Sequence, residues 1–266
     1  MPIEISHPVR VLDQVAFHLV DEVVTGLSFG IHNEFGRYLD EKLYQAELER
    51  RMREVGIETV RETRLTVSFE SFAKDYYVDF LVDGGVLVET KTVETLSPAH
   101  RAQLLNYLFL SGLKHGTLLN FRSERVQREF VSTTLDHQAR RSVRLETLAW
   151  TPLSEACHVV RETMQRVLPD WGAGLDPSLY RDLITHRLGG EGSVITKIPV
   201  FSGVVELGMQ SVHLLEPDIA FSVTASLHRP KQVEEHHRRF LRHTGLRAMQ
   251  WINLNRQTVT FTTLMR

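Results

Sequence analysis

Apolar and polar positions alternate along this chain on two different periods, and each change of period marks an element. From Asp13 to Phe35, Val15, Leu19, Val23, Val24 and Leu27 recur at helical spacing, which predicts an amphipathic helix. Leu39 to Val55 predicts a second helix, with Leu39, Leu43, Ala46 and Leu48 inward and Glu/Arg pairs outward; Gly56 stops it at C′. Arg64 to Phe69 alternates Leu65, Val67 and Phe69, the period of a strand. Tyr77 to Lys91 is two apolar runs around Asp83-Gly84-Gly85, a β-hairpin. Pro98 opens a helix through Leu110 that Gly112 closes, and Gly116 to Phe121 is a short apolar strand. The order αβββαβ predicts an α/β fold, a mixed β-sheet flanked by helices.

The pattern then starts again. The stretch from Gly36 to Tyr44 is echoed from Gly172 to Tyr180, Ser111-Gly112-Leu113 by Thr244-Gly245-Leu246, Leu119-Asn120 by Ile252-Asn253, and Thr133-Thr134-Leu135 by Thr262-Thr263-Leu264. These echoes keep their order at a slowly drifting offset, as internal duplication would leave them. Two tandem units are expected, 1–145 and 146–266, joined near residues 140–152, a polar, Arg-rich stretch ending in Thr151-Pro152.

Composition changes the picture only by exclusion. The 266 residues leave room for a sizeable core, and a net charge of -2 gives no global signature of nucleic-acid binding, so any such contact is a local patch. The single cysteine, Cys157, excludes an intramolecular disulfide framework and a thiolate-ligated metal cluster, which points to an intracellular, cytoplasmic protein. The N-terminus has no basic segment followed by an apolar run, and no stretch approaches membrane-spanning length.

The candidate chemistry lies on the hairpin. With a loop of Asp83 to Gly85, Val82 pairs with Val86 and Asp79 falls opposite Glu89 on one face, which Lys91 shares. Like charges at that distance repel unless a cation lies between them, and a hard divalent ion takes carboxylate oxygens. A solvated strand face needs no ion, so the hairpin alone leaves both readings open.

Residues 32 to about 125 resemble the GxxExxY family of the PD-(D/E)XK nuclease superfamily. The likeness rests on His32-Asn33-Glu34-Phe35-Gly36 with Leu39, Glu41 and Tyr44, on the block from Val88 to Glu94, on His100 and Gln103 to Tyr107, and on Gly112 to Lys114 with Leu118 to Phe121. Gln103-Leu104-x-x-Tyr107 is also the pattern of RecB-type exonuclease domains. The glycine that names the family is Tyr38 here, which bears on the backbone at that turn more than on the chemistry.

The resemblance implies Mg²⁺ or Mn²⁺ as cofactor, held by Asp79, Glu89, the Thr90 carbonyl and, through water, Glu41. It implies that Lys91 orients a water or stabilises developing charge, and that Gln103 and Tyr107, four apart on one helix face, hold substrate. Tyr44 and Tyr107 suit core packing equally well, and Glu94 and His100 fit supporting or surface positions better. Arg122 and Arg125 are candidate substrate contacts. With Arg128, Arg140, Arg141 and Arg144 they form a basic stretch that suits either a phosphate backbone or a solvated face. His236 and His237, beside Arg238, Arg239, Arg242 and His243, read as a solvated basic helix face rather than a ligand set.

In the second unit the equivalent positions are Pro177, Val212, Ser222, Thr224 and His236, so a degenerate copy without the catalytic residues is expected, packed against the first as a pseudo-dimer. The function expected is a metal-dependent phosphodiesterase on nucleic acid, DNA in preference to RNA. The alternative is a non-catalytic nucleic-acid-binding or regulatory module that keeps the fold.

Overall fold

The structure, a computed structural model, describes residues 3–226 and 230–266. The chain divides into two units, Met1–Asp136 and His137–Arg266. Each has its own six-stranded sheet.

The first unit runs β1 (Ile3–Ile5), α1 (Gln14–Phe35), α2 (Glu41–Glu54), β2 (Thr59–Phe69), β3 (Phe72–Val82), β4 (Val86–Lys91), α3 (Pro98–Ser111), β5 (His115–Asn120) and β6 (Gln127–Ser132). Its strands lie in sequence order. Every pair is antiparallel except β4–β5, which is parallel and joined by α3. Asp13 caps α1 by accepting the Ala16 N–H at 2.8 Å.

The apolar faces of the two leading helices match the sequence expectation in part: Val24, Leu27, Leu39 and Leu48 pack on the core. Helix α1 buries Phe17, Val24 and Ile31, while Val15, Leu19 and Val23 stay 72%, 64% and 42% exposed. Helix α2 buries Tyr44, Leu48 and Met52 and leaves Leu43 and Ala46, both expected inward, exposed. The wide apolar arc of each helix admits two inward orientations. Contact with Phe80, Val82, Val86, Val88, Leu119 and Phe121 of the sheet selects one. Helix α3 covers the other sheet face: a Cβ on Gly116 would lie 3.1 Å from the Leu104 side chain.

The second unit runs α4 (His137–Arg141), β7 (Arg144–Ala149), α5 (Glu155–Trp171), α6 (Pro177–Arg187), α7 (Glu191–Val194), β8 (Ile195–Ser202), β9 (Val205–Glu216), β10 (Ile219–Thr224), α8 (Pro230–Arg242), β11 (Ala248–Asn255) and β12 (Thr258–Met265). The strand order is β7-β12-β11-β10-β9-β8. Strands β8 to β12 pair as β2 to β6 do, with β10–β11 parallel and α8 as the crossover. The added edge strand differs: β7 joins β12 in parallel, whereas β1 joins β2.

Local devices recur with the topology. Tyr44 donates its hydroxyl to the Gly36 carbonyl at 2.6 Å, and Tyr180 donates to the Gly172 carbonyl at 2.7 Å. Both glycines hold positive φ, 70° and 75°, and each caps the helix before it. Asn120 brackets Val93 through its amide, accepting the N–H at 3.1 Å and donating to the carbonyl at 2.7 Å. Asn253 brackets Ser226 in the same way at 2.8 and 3.2 Å.

Residues 140–152, expected as a polar connection, instead hold the end of α4 and all of β7. The polar pattern hid a strand whose place is at a sheet edge. The basic stretch is likewise not one surface. Arg140 is 1% exposed, with its guanidinium donating to the Trp171 carbonyl at 3.0 Å and bonded to His137 Nδ1 at 3.0 Å. Arg128 is ion-paired with Asp21, which is buried.

Candidate active site

The site forms where a β ladder ends. The β3–β4 register runs Val82↔Val86, Leu81↔Leu87, Phe80↔Val88, so Asp79 and Glu89 come next, side by side on one face. There the side chains take over the backbone partners. Asp79 N–H donates to Glu89 Oε1 at 3.1 Å, and Thr90 N–H donates to Asp79 Oδ2 at 2.7 Å. Strand parting exposes amides that must be satisfied, and the two carboxylates satisfy them. Lys91 Nζ lies 3.0 Å from Glu89 Oε2.

The charges sit in a dry place. The Glu89 side chain is 1% exposed and that of Lys91 14%. Burial first, and then the Asp79 charge, push the Glu89 carboxyl up to about 7 against the pull of Lys91. Burial draws the Lys91 ammonium down, but Glu89, Asp79 and Glu41 outweigh it and the net shift is upward. Glu41, the first residue of α2, accepts a bond from the Thr92 backbone. Its carboxyl is raised by burial and by Asp79 and lowered by Lys91, with a net rise. Glu41 thus belongs to the same electrostatic cluster.

From α3, Gln103 Nε2 donates to the Tyr107 hydroxyl at 2.9 Å. Burial raises the Tyr107 hydroxyl, the Gln103 bond opposes it, and the Glu89 charge adds to the rise, which puts Tyr107 in the field of the carboxylates. Tyr44 is packing: it is fully buried and stacks on Phe121 at 4.5 Å. His100 closes the capping box of α3 with Ser97, and Glu94 is exposed. Arg122 lies 5.8 Å from the Tyr38 ring centroid, and Arg125 is exposed.

A chain of contacts behind the site escaped the sequence reading. Thr90 Oγ1 donates to Asp79 Oδ2 at 2.8 Å and accepts Gln45 Nε2 at 2.9 Å. Gln45 Oε1 accepts Arg61 at 3.3 Å, and Arg61 pairs with Glu49 at 3.4 Å. A glutamine on the buried stripe of α2, between Tyr44 and Leu48, was the available signal, since buried polar side chains require partners.

The donor chemistry suits a hard divalent cation. Two carboxylates lie side by side, with Glu89 buried, and burial first and then the Asp79 charge favour the protonated form of Glu89. An ion between them would keep both ionised. Among the described residues no three His, Cys, Asp or Glu side chains gather to hold an ion by themselves, so any further ligands would come from backbone, water or substrate.

In the second unit the sheet positions that match Glu89 and Lys91 by strand register carry neutral side chains, Ser222 and Thr224. The register Thr224↔Asn253 matches Lys91↔Asn120, and Ser222↔Trp251 matches Glu89↔Leu118. Thr224 Oγ1 bonds Asn253 Oδ1 at 2.9 Å and Trp251 Nε1 at 2.8 Å. Ser222 Oγ bonds His237 Nε2 at 3.1 Å. His237 also lies 5.4 Å from the Trp251 ring, so it is turned onto the sheet rather than into a solvated basic face. Arg238 and Arg239 pair with Glu234 and Glu235. Pro177 opens α6, where its missing N–H costs no helical bond.

Residues 18–132 match the family model of the PD-(D/E)XK nuclease superfamily. That stretch lies within the first unit and includes Glu41, Asp79, Glu89, Lys91, Gln103 and Tyr107. Its members are typically nucleases that use divalent metals. A solved structure described as "Crystal structure of SSO0001" is similar at 18% identity and a TM-score of 0.30, covering 45% of this chain and 68% of that one. None of the curated proteins matches the chain. No helix among the described residues is long and apolar enough to cross a membrane.

Proposed function

We propose that the first unit hydrolyses phosphodiester bonds of nucleic acid, DNA in preference to RNA, as a divalent-metal-dependent nuclease of the GxxExxY type. The observation that carries this reading is the convergence of Asp79, Glu89 and Lys91 where β3 and β4 part. Asp79, Glu89 and the Thr90 carbonyl would hold Mg²⁺ or Mn²⁺, with Glu41 reached through water. Such an ion supplies Lewis-acid polarisation of the phosphate and a water of lowered pKa. Lys91, kept charged by three carboxylates, donates to a phosphate oxygen as negative charge builds there. Gln103 and Tyr107 orient the scissile phosphate from α3. Labelled single- and double-stranded DNA and RNA, incubated with Mg²⁺ or Mn²⁺, test the reading. Intact strands under every condition would leave the fold as a binding or regulatory module.

Thr90 and Gln45 act on this site through Asp79. Thr90→Val deletes the hydroxyl that aims Asp79 Oδ2 while keeping the β-branched shape. It should weaken Mn²⁺ affinity about 10- to 100-fold, the usual cost of losing a partner behind a metal ligand, and Thr90→Ser should restore it. Calorimetric Mn²⁺ titration checks this, and unchanged affinity in Thr90→Val would remove Thr90 from the site.

We also propose that the second unit is a duplicated copy that has lost its chemistry. The ordered echoes and the neutral set Val212, Ser222 and Thr224 support this. The double variant Asp79→Asn/Glu89→Gln should then bind no Mn²⁺ at all. Retained stoichiometric binding would mean that the second unit holds an ion and is no dead copy.

A further inference from the structure

Tyr38 stands where the site's surroundings meet solvent, and packing does not account for it. The ring is 73% exposed. Two guanidinium groups lie over it, Arg37 at 5.2 Å and Arg122 at 5.8 Å from its centroid. Arg37 also donates to the Tyr38 hydroxyl at 3.1 Å.

The chain ties this cluster to the carboxylates. Tyr38 lies three residues before Glu41, in the connection between α1 and α2. Arg122 follows Phe121, whose N–H donates to the Lys91 carbonyl at 2.9 Å. The Arg122 N–H is held by Asn120 Oδ1 at 3.2 Å, the same atom that accepts the Val93 N–H. The cluster therefore sits at the C-terminal ends of β4 and β5, on the rim beside Lys91. Glu94 and Glu124 act electrostatically on Arg37; both are exposed and well screened by salt.

We infer that Tyr38, Arg37 and Arg122 form a platform for an unpaired base of single-stranded nucleic acid, with the base stacked on the Tyr38 ring and its phosphate held by a guanidinium. The inference rests on the phosphodiesterase reading of the neighbouring site and names its strand class. The order of strengths favours it: an exposed guanidinium over a ring is held more weakly than a stacked base. A base therefore displaces a guanidinium from the ring and frees it for a phosphate oxygen. A duplex offers no free base face, because its bases already stack on one another.

The test uses the full chain with Ca²⁺ in place of Mg²⁺, strand integrity checked on gels, and fluorescence anisotropy of end-labelled 20-mers. The strands are single-stranded DNA, the same sequence as RNA, the DNA duplex, and a DNA strand with abasic positions. Tyr38→Ala should weaken single-strand binding about 5- to 100-fold, equally for DNA and RNA, and leave the duplex unchanged. Tyr38→Phe should stay within about twofold of wild type, since the ring remains. The abasic strand should bind wild type weakly and be indifferent to Tyr38→Ala. Because Tyr38 is exposed, its thermal unfolding midpoint should not move.

Single-strand binding that is unaltered in Tyr38→Ala overturns the platform. So does an equal loss on the abasic strand, or the absence of binding to any strand. Cleavage under Mg²⁺ or Mn²⁺ without Tyr38-dependent binding leaves the nuclease reading standing and removes the platform. Tyr38-dependent binding without cleavage does the reverse.

Discussion

Lys91→Ala is expected to abolish metal-dependent cleavage while leaving the fold intact. The Lys91 ammonium lies 3.0 Å from Glu89 and is charged in the field of Glu89, Asp79 and Glu41. Among the described residues it is a cation ion-paired with Glu89. Removing a single preorganised group that meets developing charge costs about 100- to 1,000-fold in rate, or ~3–4 kcal/mol of barrier. The side chain is only 14% exposed, so its loss also leaves Glu89 without its partner and favours the protonated carboxyl. Single-turnover cleavage of labelled DNA under Mn²⁺, with circular dichroism as the control for folding, reads the effect. Cleavage within about threefold of wild type would remove Lys91 from the chemistry.

The second expected result concerns stability in metal-free buffer. Folded Glu89 holds its proton up to about 7, against an ordinary 4.5. The folded state therefore binds this proton more tightly than the unfolded chain does. The stabilisation from this group is complete below pH 4.5 and is lost as pH rises through about 7. The loss amounts to something on the order of 3 kcal/mol. Glu41, also raised, acts in the same direction. Urea unfolding from about pH 5 to about pH 8, with chelator present, should show wild type weakening as pH rises. Glu89→Gln should flatten most of that slope, because its amide has no proton to release. An equal slope in both proteins would mean that Glu89 ionises normally in the folded state. Adding Mn²⁺ to wild type at the upper pH should recover stability, because an ion that binds only the folded form stabilises it by mass action.

Much of the first unit was legible residue by residue. The hairpin register followed from one turn: Asp83-Gly84-Gly85 sets Val82 against Val86, and period-two geometry then carries Asp79 to Glu89 without further assumption. Gly112 marked the end of α3, where it adopts φ 74°. The echo of Gly36 and Tyr44 in Gly172 and Tyr180 recorded a real local device, a tyrosine hydroxyl closing on the carbonyl of a positive-φ glycine.

Other readings failed where two arrangements were compatible with the same pattern. Val15, Leu19 and Val23 share a helical stripe with Val24 and Leu27, yet they stay exposed while Phe17 and Ile31 are buried beside Val24. Helical periodicity defines a stripe and not what lies against it. The Arg-rich stretch looked like a surface because guanidinium groups are rarely buried. Arg140 is buried because the Trp171 carbonyl and His137 accept its protons, and those partners are distant or unremarkable in sequence.

The sequence by itself determined what short-range geometry controls: the hairpin, its carboxylate pair, the glycine stops and the repeated order of elements. Tertiary structure alone decided what depends on faces brought together from afar. Thr90 receives Gln45 from α2. Arg122 meets Tyr38 across the rim of the sheet. Backbone periodicity propagates over a few residues, whereas each of these contacts is selected by the packing of a whole helix or loop against the sheet, which no local pattern encodes.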